Sequence, residues 1–143
     1  MVQRTVCAAL LVSLLGCSPA LVGTYVGTVT VDGPEGKSKP ASIGVSITAP
    51  TAYYLRFTTN ATRKLRCSGE YTMTTWSANA FTAAGSGGCD VPDPDCGTLS
   101  LVFNGGQGEL VNDRLTATFN WTAACSKTSR SAPMVEIYEL TKQ

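Results

Sequence analysis

No histidine occurs anywhere in the 143 residues. That absence removes the commonest general base at neutral pH, the commonest nitrogen ligand for a metal, and the usual pH switch. Charge is scarce too: 15% of residues are charged, and 11 basic residues nearly balance 10 acidic ones. A chain this close to neutrality lacks the cationic surplus that binding to nucleic-acid phosphates requires, so DNA and RNA are not expected partners. No Gly-x-Ser-x-Gly elbow, phosphate-binding glycine loop, internal repeat or second domain is visible. Two carboxylates can suffice for a glycosidase, but no spacing singles out a pair, Glu70 with an aspartate included. The sequence therefore assigns no catalytic residue, no metal ligand and no cofactor.

What is present points to strands. Apolar residues make up 43% of the chain, threonine is abundant, and 14 glycines and 7 prolines supply turns. The segment "RLTATFNWT" places Leu115, Ala117, Phe119 and Trp121 on one side and Thr116, Thr118, Asn120 and Thr122 on the other, the pattern of a half-buried antiparallel strand. The same alternation assigns an inward side to Ile43, Val45 and Ile47, to Tyr53, Leu55 and Phe57, and to Leu99, Leu101 and Phe103. Residues 23–31 supply a first strand and residues 134–141 a last one. Turn signals separate these runs at "DGPEGKSKP", "TAP", "TNAT", "SGGCDVPDPDC", "NGGQG" and "VND". The expectation is an all-β body of about seven to nine strands, either an antiparallel up-and-down barrel or a β-sandwich. Its inward aromatics, Tyr25, Tyr53, Phe57, Tyr71, Phe103, Phe119 and Trp121, would plug a barrel of that size, since small barrels are filled by their own side chains.

The N-terminus reads as an address. Residues 1–17, "MVQRTVCAALLVSLLGC", hold one cation, Arg4, then an apolar run from Val6 to Leu15, then small residues. That run is too short for a bilayer-spanning helix, which needs roughly 20 residues, and fits a signal peptide. Leu14-Leu15-Gly16-Cys17 resembles the lipobox of bacterial lipoproteins. The resemblance implies a leader, 1–16, cut before Cys17, with the Cys17 sulfur carrying a diacylglyceryl group and the new N-terminus acylated. It also implies a lipid-anchored linker at 17–22 and a folded domain at 23–143. Ser18 resembles the residue that sends such proteins to the outer membrane facing the periplasm. Without Arg4 the mature chain has no net charge.

On this reading the six cysteines do not make three disulfides. Cys7 leaves with the leader and Cys17 is lipidated, so Cys67, Cys89, Cys96 and Cys125 remain for disulfides in an oxidising compartment. A four-cysteine zinc site would be the alternative, but no Cys-x-x-Cys pair supports it. Cys67 shares parity with Leu65, Tyr71 and Met73, and Cys125 with Phe119 and Trp121, while Cys89 and Cys96 flank "DVPDPD". The expected pairs are Cys67 with Cys125 and Cys89 with Cys96.

Three further features are candidate sites. Asp90, Asp93 and Asp95 gather carboxylates of the kind calcium favours, and the expectation is a solvated acidic loop without a metal. Arg63, Lys64 and Arg66, with Arg56 one strand earlier, form the one basic concentration, read as a solvated sheet face. Trp76 breaks the inward pattern. Finally, "LVGTYVGTV", the hairpin "GELVNDRLTATFNW" and an aromatic last strand together resemble small lipocalin-like envelope barrels, which favours a barrel over a sandwich. The function expected is that of a lipid-anchored cell-envelope protein of structural or interaction type with no catalytic activity, the alternative being a lipocalin-like binding module for a small apolar ligand or for a protein partner, such as an envelope protein, that it inhibits.

Overall fold

The alternation in the sequence becomes strands along most of residues 20–60, 70–85 and 88–143, which are the residues described by the computed structural model. They are β1 (Gly23–Gly33), β2 (Gly36–Lys37), β3 (Ala41–Thr51), β4 (Tyr54–Thr59), β5 (Glu70–Met73), β6 (Thr75–Trp76), β7 (Ala80–Ala84), β8 (Gly88–Asp93), β9 (Gly97–Val111), β10 (Arg114–Cys125) and β11 (Arg130–Lys142). No helix occurs among the described residues. Every pairing is antiparallel, and one continuous path runs β5-β4-β3-β1-β11-β10-β9-β7-β6. Because β1 pairs with β11, the first and last long strands form a seam, and β5 comes alongside β7 at the other end of the path. The result is a nearly closed, nine-stranded antiparallel barrel with up-and-down connections, not a sandwich. The segment read as a loop between β1 and β3 contains the short β2, which folds back on Asp32 and Gly33.

Turn chemistry sets the register. Val111 and Arg114 pair across the two-residue turn Asn112-Asp113, whose φ angles of 49° and 63° are the left-handed pair that a tight hairpin of matching twist requires. Asparagine and aspartate bear that conformation at low cost.

Strand β9 carries an irregularity that period-two counting could not show. Asn120 faces Gly105 while Trp121 faces Phe103, so Asn104 is an extra residue, and Gly105 has φ 117°. The bulge switches the inward parity of β9 from Leu101 and Phe103 to Gly108 and Leu110. It also lets one strand face two partners in turn, β8 along its first half and β7 along its second.

The core lies inside the barrel. Tyr25, Ile43, Val45, Ile47, Leu55, Phe57, Tyr71, Met73, Leu101, Phe103, Leu115, Phe119 and Trp121 are all buried there, as the alternation requires. Tyr53 is the exception. It sits in the turn between β3 and β4 with 85% of its surface exposed, because the strand pattern begins one residue later, at Tyr54.

Candidate functional site

The rings inside the barrel pack edge-to-face and stacked around Phe119. Tyr71 lies parallel to it at 4.0 Å between centroids, Phe57 meets it at 5.0 Å, Tyr138 at 5.5 Å and Phe103 at 6.0 Å. Phe81 closes the cluster from β7. There is room for it because Gly108 has no side chain: a Cβ there would lie 2.4 Å from the Phe81 ring.

Against this cluster sits a carboxylate that sequence reasoning missed. Glu136 is 2% exposed, and its Oε2 accepts hydrogen bonds from the Tyr71 hydroxyl at 2.7 Å and the Tyr138 hydroxyl at 3.0 Å. In "MVEIYELT" two series interleave, Met134-Glu136-Tyr138-Leu140 and Val135-Ile137-Glu139, and neither is purely apolar. The pairing of Glu136 with Phe119 on one side and Val31 on the other puts the first series inside. Two phenols donating to one carboxylate satisfy polar atoms that would otherwise be costly to bury.

Two recesses among the described residues open on the outer wall. The larger, about 670 Å³, is bounded by Trp76 and Ser77 and floored by Thr82, Gln107, Glu109, Thr116 and Thr118, the outward residues of β7, β9 and β10. Trp76 is half-buried, paired across from Phe81 and packed against the core, so the residue that broke the inward pattern forms the rim of this recess. A second hollow of about 360 Å³ lies over the outer face of β1, β10 and β11, between Thr28, Arg114 and Glu139.

The cysteine pairing differs from expectation. Cys96 is bonded to Cys125, with Cα atoms 4.9 Å apart, which excludes both the Cys89–Cys96 and the Cys67–Cys125 pairs. The reason lies in the hairpin formed by β8 and β9. Asp93 pairs with Gly97 and Cys89 with Leu101, so Cys89 lies up the strand while Cys96 occupies the turn. That turn rests on the end of β10: the Ser126 hydroxyl donates to the Cys96 carbonyl at 2.7 Å and the Lys127 amide donates to it at 3.2 Å. Cys89 is disulfide-bonded as well. Cys67 and Cys17 lie outside the described residues.

The three aspartates of this hairpin do not converge. Asp90 accepts from the Ser100 hydroxyl at 2.6 Å, Asp93 accepts from the backbone amides of Asp95 and Cys96, and Asp95 is exposed. Among the described residues no group of three or more ligating side chains could hold a metal ion. Of the basic concentration, Arg56 forms an ion pair with Glu70 at 2.9 Å, while Arg63, Lys64 and Arg66 lie outside the described residues. The same pair occupies the Glu70 carboxylate.

At the end of the barrel where β1 begins, the chain is clamped. Leu21 is fully buried, the Tyr25 hydroxyl donates to its carbonyl at 2.6 Å, and the Lys142 ammonium hydrogen-bonds the Ala20 carbonyl while lying over the Tyr25 ring. Burial, helped by the nearby Asp113 carboxylate, pushes the Tyr25 phenol up to about 12, so it remains a hydrogen-bond donor through neutral pH.

No protein-family model matches the chain, and no curated protein matches it. Among solved structures the chain is similar to one described as EF1p2_mFAP2b bound to DFHBI, with 12% identity and a TM-score of 0.38 over 87% of this chain and 94% of that one.

Proposed function

We propose that the protein is a lipid-anchored component of the bacterial cell envelope, held through Cys17 at the outer membrane facing the periplasm, and that its barrel acts by surface contact in a structural or interaction role. The observation that carries the contact reading is the interior. Phe57, Tyr71, Phe81, Phe103, Phe119, Trp121 and Tyr138 occupy it with ring-to-ring distances of 4.0 to 6.3 Å, and an enclosed apolar ligand would have to displace them. Concave surface is available on the outer wall instead, beside Trp76. The lipobox Leu14-Leu15-Gly16-Cys17 supports the anchor, with acyl chains contributing about 0.8 kcal/mol per buried methylene.

Purification from the native envelope, followed by intact mass measurement, tests both parts. The expected product lacks residues 1–16 and carries acyl mass on Cys17. A retained Met1 or an unacylated Cys17 overturns the anchor. A small apolar molecule recovered in stoichiometric amount overturns the filled-barrel reading and favours a lipocalin-like carrier.

A further inference from the structure

The turn between β3 and β4 lies at the end of the barrel where a lipid on Cys17 would hold the protein. Gly23 pairs with Ile47 and Tyr25 with Lys142, so the start of β1, the end of β11 and the β3–β4 turn share that end. The clamp on Ala20 and Leu21 fixes the chain to the barrel just three residues after Cys17. Three residues reach about 10 Å even when fully extended. An acylated Cys17 therefore keeps this end within about 10 Å of the bilayer surface.

The β3–β4 hairpin projects past the first rung of β1. Beyond the Gly23–Ile47 rung it continues to Thr51 and Tyr54, which close the turn. At about 3.3 Å per residue its tip stands roughly 13 Å further out, comparable with the reach of the tether. All of residues 48–53, "TAPTAY", are exposed, none is charged, and Tyr53 at the tip is the most exposed large apolar side chain described. Tyrosine has an apolar ring and a hydroxyl that stays hydrated, and it favours the headgroup layer of a bilayer. The nearest cation on the hairpin, Arg56, is held by Glu70. At the opposite end stand the charged β8–β9 turn and Lys127.

We infer that the β3–β4 turn, with Tyr53 at its tip, is a second point of contact with the membrane, docking into the headgroup layer of the bilayer that receives the Cys17 lipid. This rests on the anchor reading above. Contact through an uncharged aromatic turn is insensitive to salt, unlike attraction of a basic patch to anionic lipid.

The full chain, processed in a lipoprotein-exporting bacterium and reconstituted into phosphatidylethanolamine–phosphatidylglycerol vesicles with a nitroxide headgroup lipid, provides the test. Tyr53→Trp adds an emitter at the turn and Lys37→Trp adds one at the far end, with the unsubstituted chain as background. The expected result is that the emission added by Tyr53→Trp is largely quenched, at low and high salt alike, while that added by Lys37→Trp is not. Amide exchange in residues 51–53 should also slow on vesicles relative to detergent. Two results overturn the inference while leaving the anchor intact: acylated Tyr53→Trp that is unquenched, or quenching of Lys37→Trp in its place. Absence of acyl mass overturns the anchor reading and this inference with it.

Discussion

At the scale of single residues, the interior holds two kinds of side chain whose removal has different costs. Glu136 receives both the Tyr71 and Tyr138 hydroxyls. Glu136→Leu removes the acceptor of two buried hydroxyl hydrogen bonds and should destabilise the fold by about 1–3 kcal/mol for each, read from urea unfolding, whereas Tyr138→Phe removes one such bond and should cost less. Tyr25 supplies a pH signature. Its phenol is raised from 10.0 to about 12 in the folded protein, chiefly by burial, so folding favours the neutral form. That contribution is complete below pH 10 and is lost as pH rises towards 12. Unfolding free energy measured across this window should fall more steeply for the native chain than for Tyr25→Phe. None of this was legible beforehand for Glu136, because burial of a carboxylate in a strand of mixed pattern depends on its neighbours' register. The inward assignment of Phe119 and Trp121 was legible, because a long strand with apolar and polar residues in strict alternation has one low-energy orientation.

At the scale of elements, β9 is where local rules and tertiary demands diverge. Its glycines read as a turn, "NGGQG", yet they lie within a strand, and Gly108 is the space into which Phe81 fits. Gly108→Ala should cost about 1–3 kcal/mol through overpacking, and Phe81→Leu in the same chain should recover part of the loss if the clash is the cause. The bulge at Asn104 explains why parity carried from one half of the strand fails in the other. The cysteine pairing departs from expectation for a related reason. Residues flanking a proline-rich stretch suggested a loop closed on itself, but the stretch is half of a hairpin, and only its turn reaches β10. Peptide mapping without reduction should recover a Cys96–Cys125 linked pair. Replacing both with serine should lower stability by about 2–4 kcal/mol.

At the scale of the whole molecule, strand count and class followed from alternation and turn signals, while closure did not. A run of hairpins can curl into a barrel or fold into two layers, and the choice is made by which strand finds the first one. Here that strand is β11, in register with β1 from Tyr25 to Asp32. The seam has a consequence for how the protein is made. Long-range pairings are slow to form because chain entropy is lost before contacts repay it, and here β11, far along the chain from β1, is the wall on which β1 must close. Until β11 arrives, β1 keeps an open edge on one side and the Ala20 clamp lacks Lys142. A chain stopped before Arg130 should remain protease-sensitive when the full chain is resistant, as a timed digestion would show. In such a barrel β11 is the keystone, and the two halves of the wall are joined only once it lies between β1 and β10.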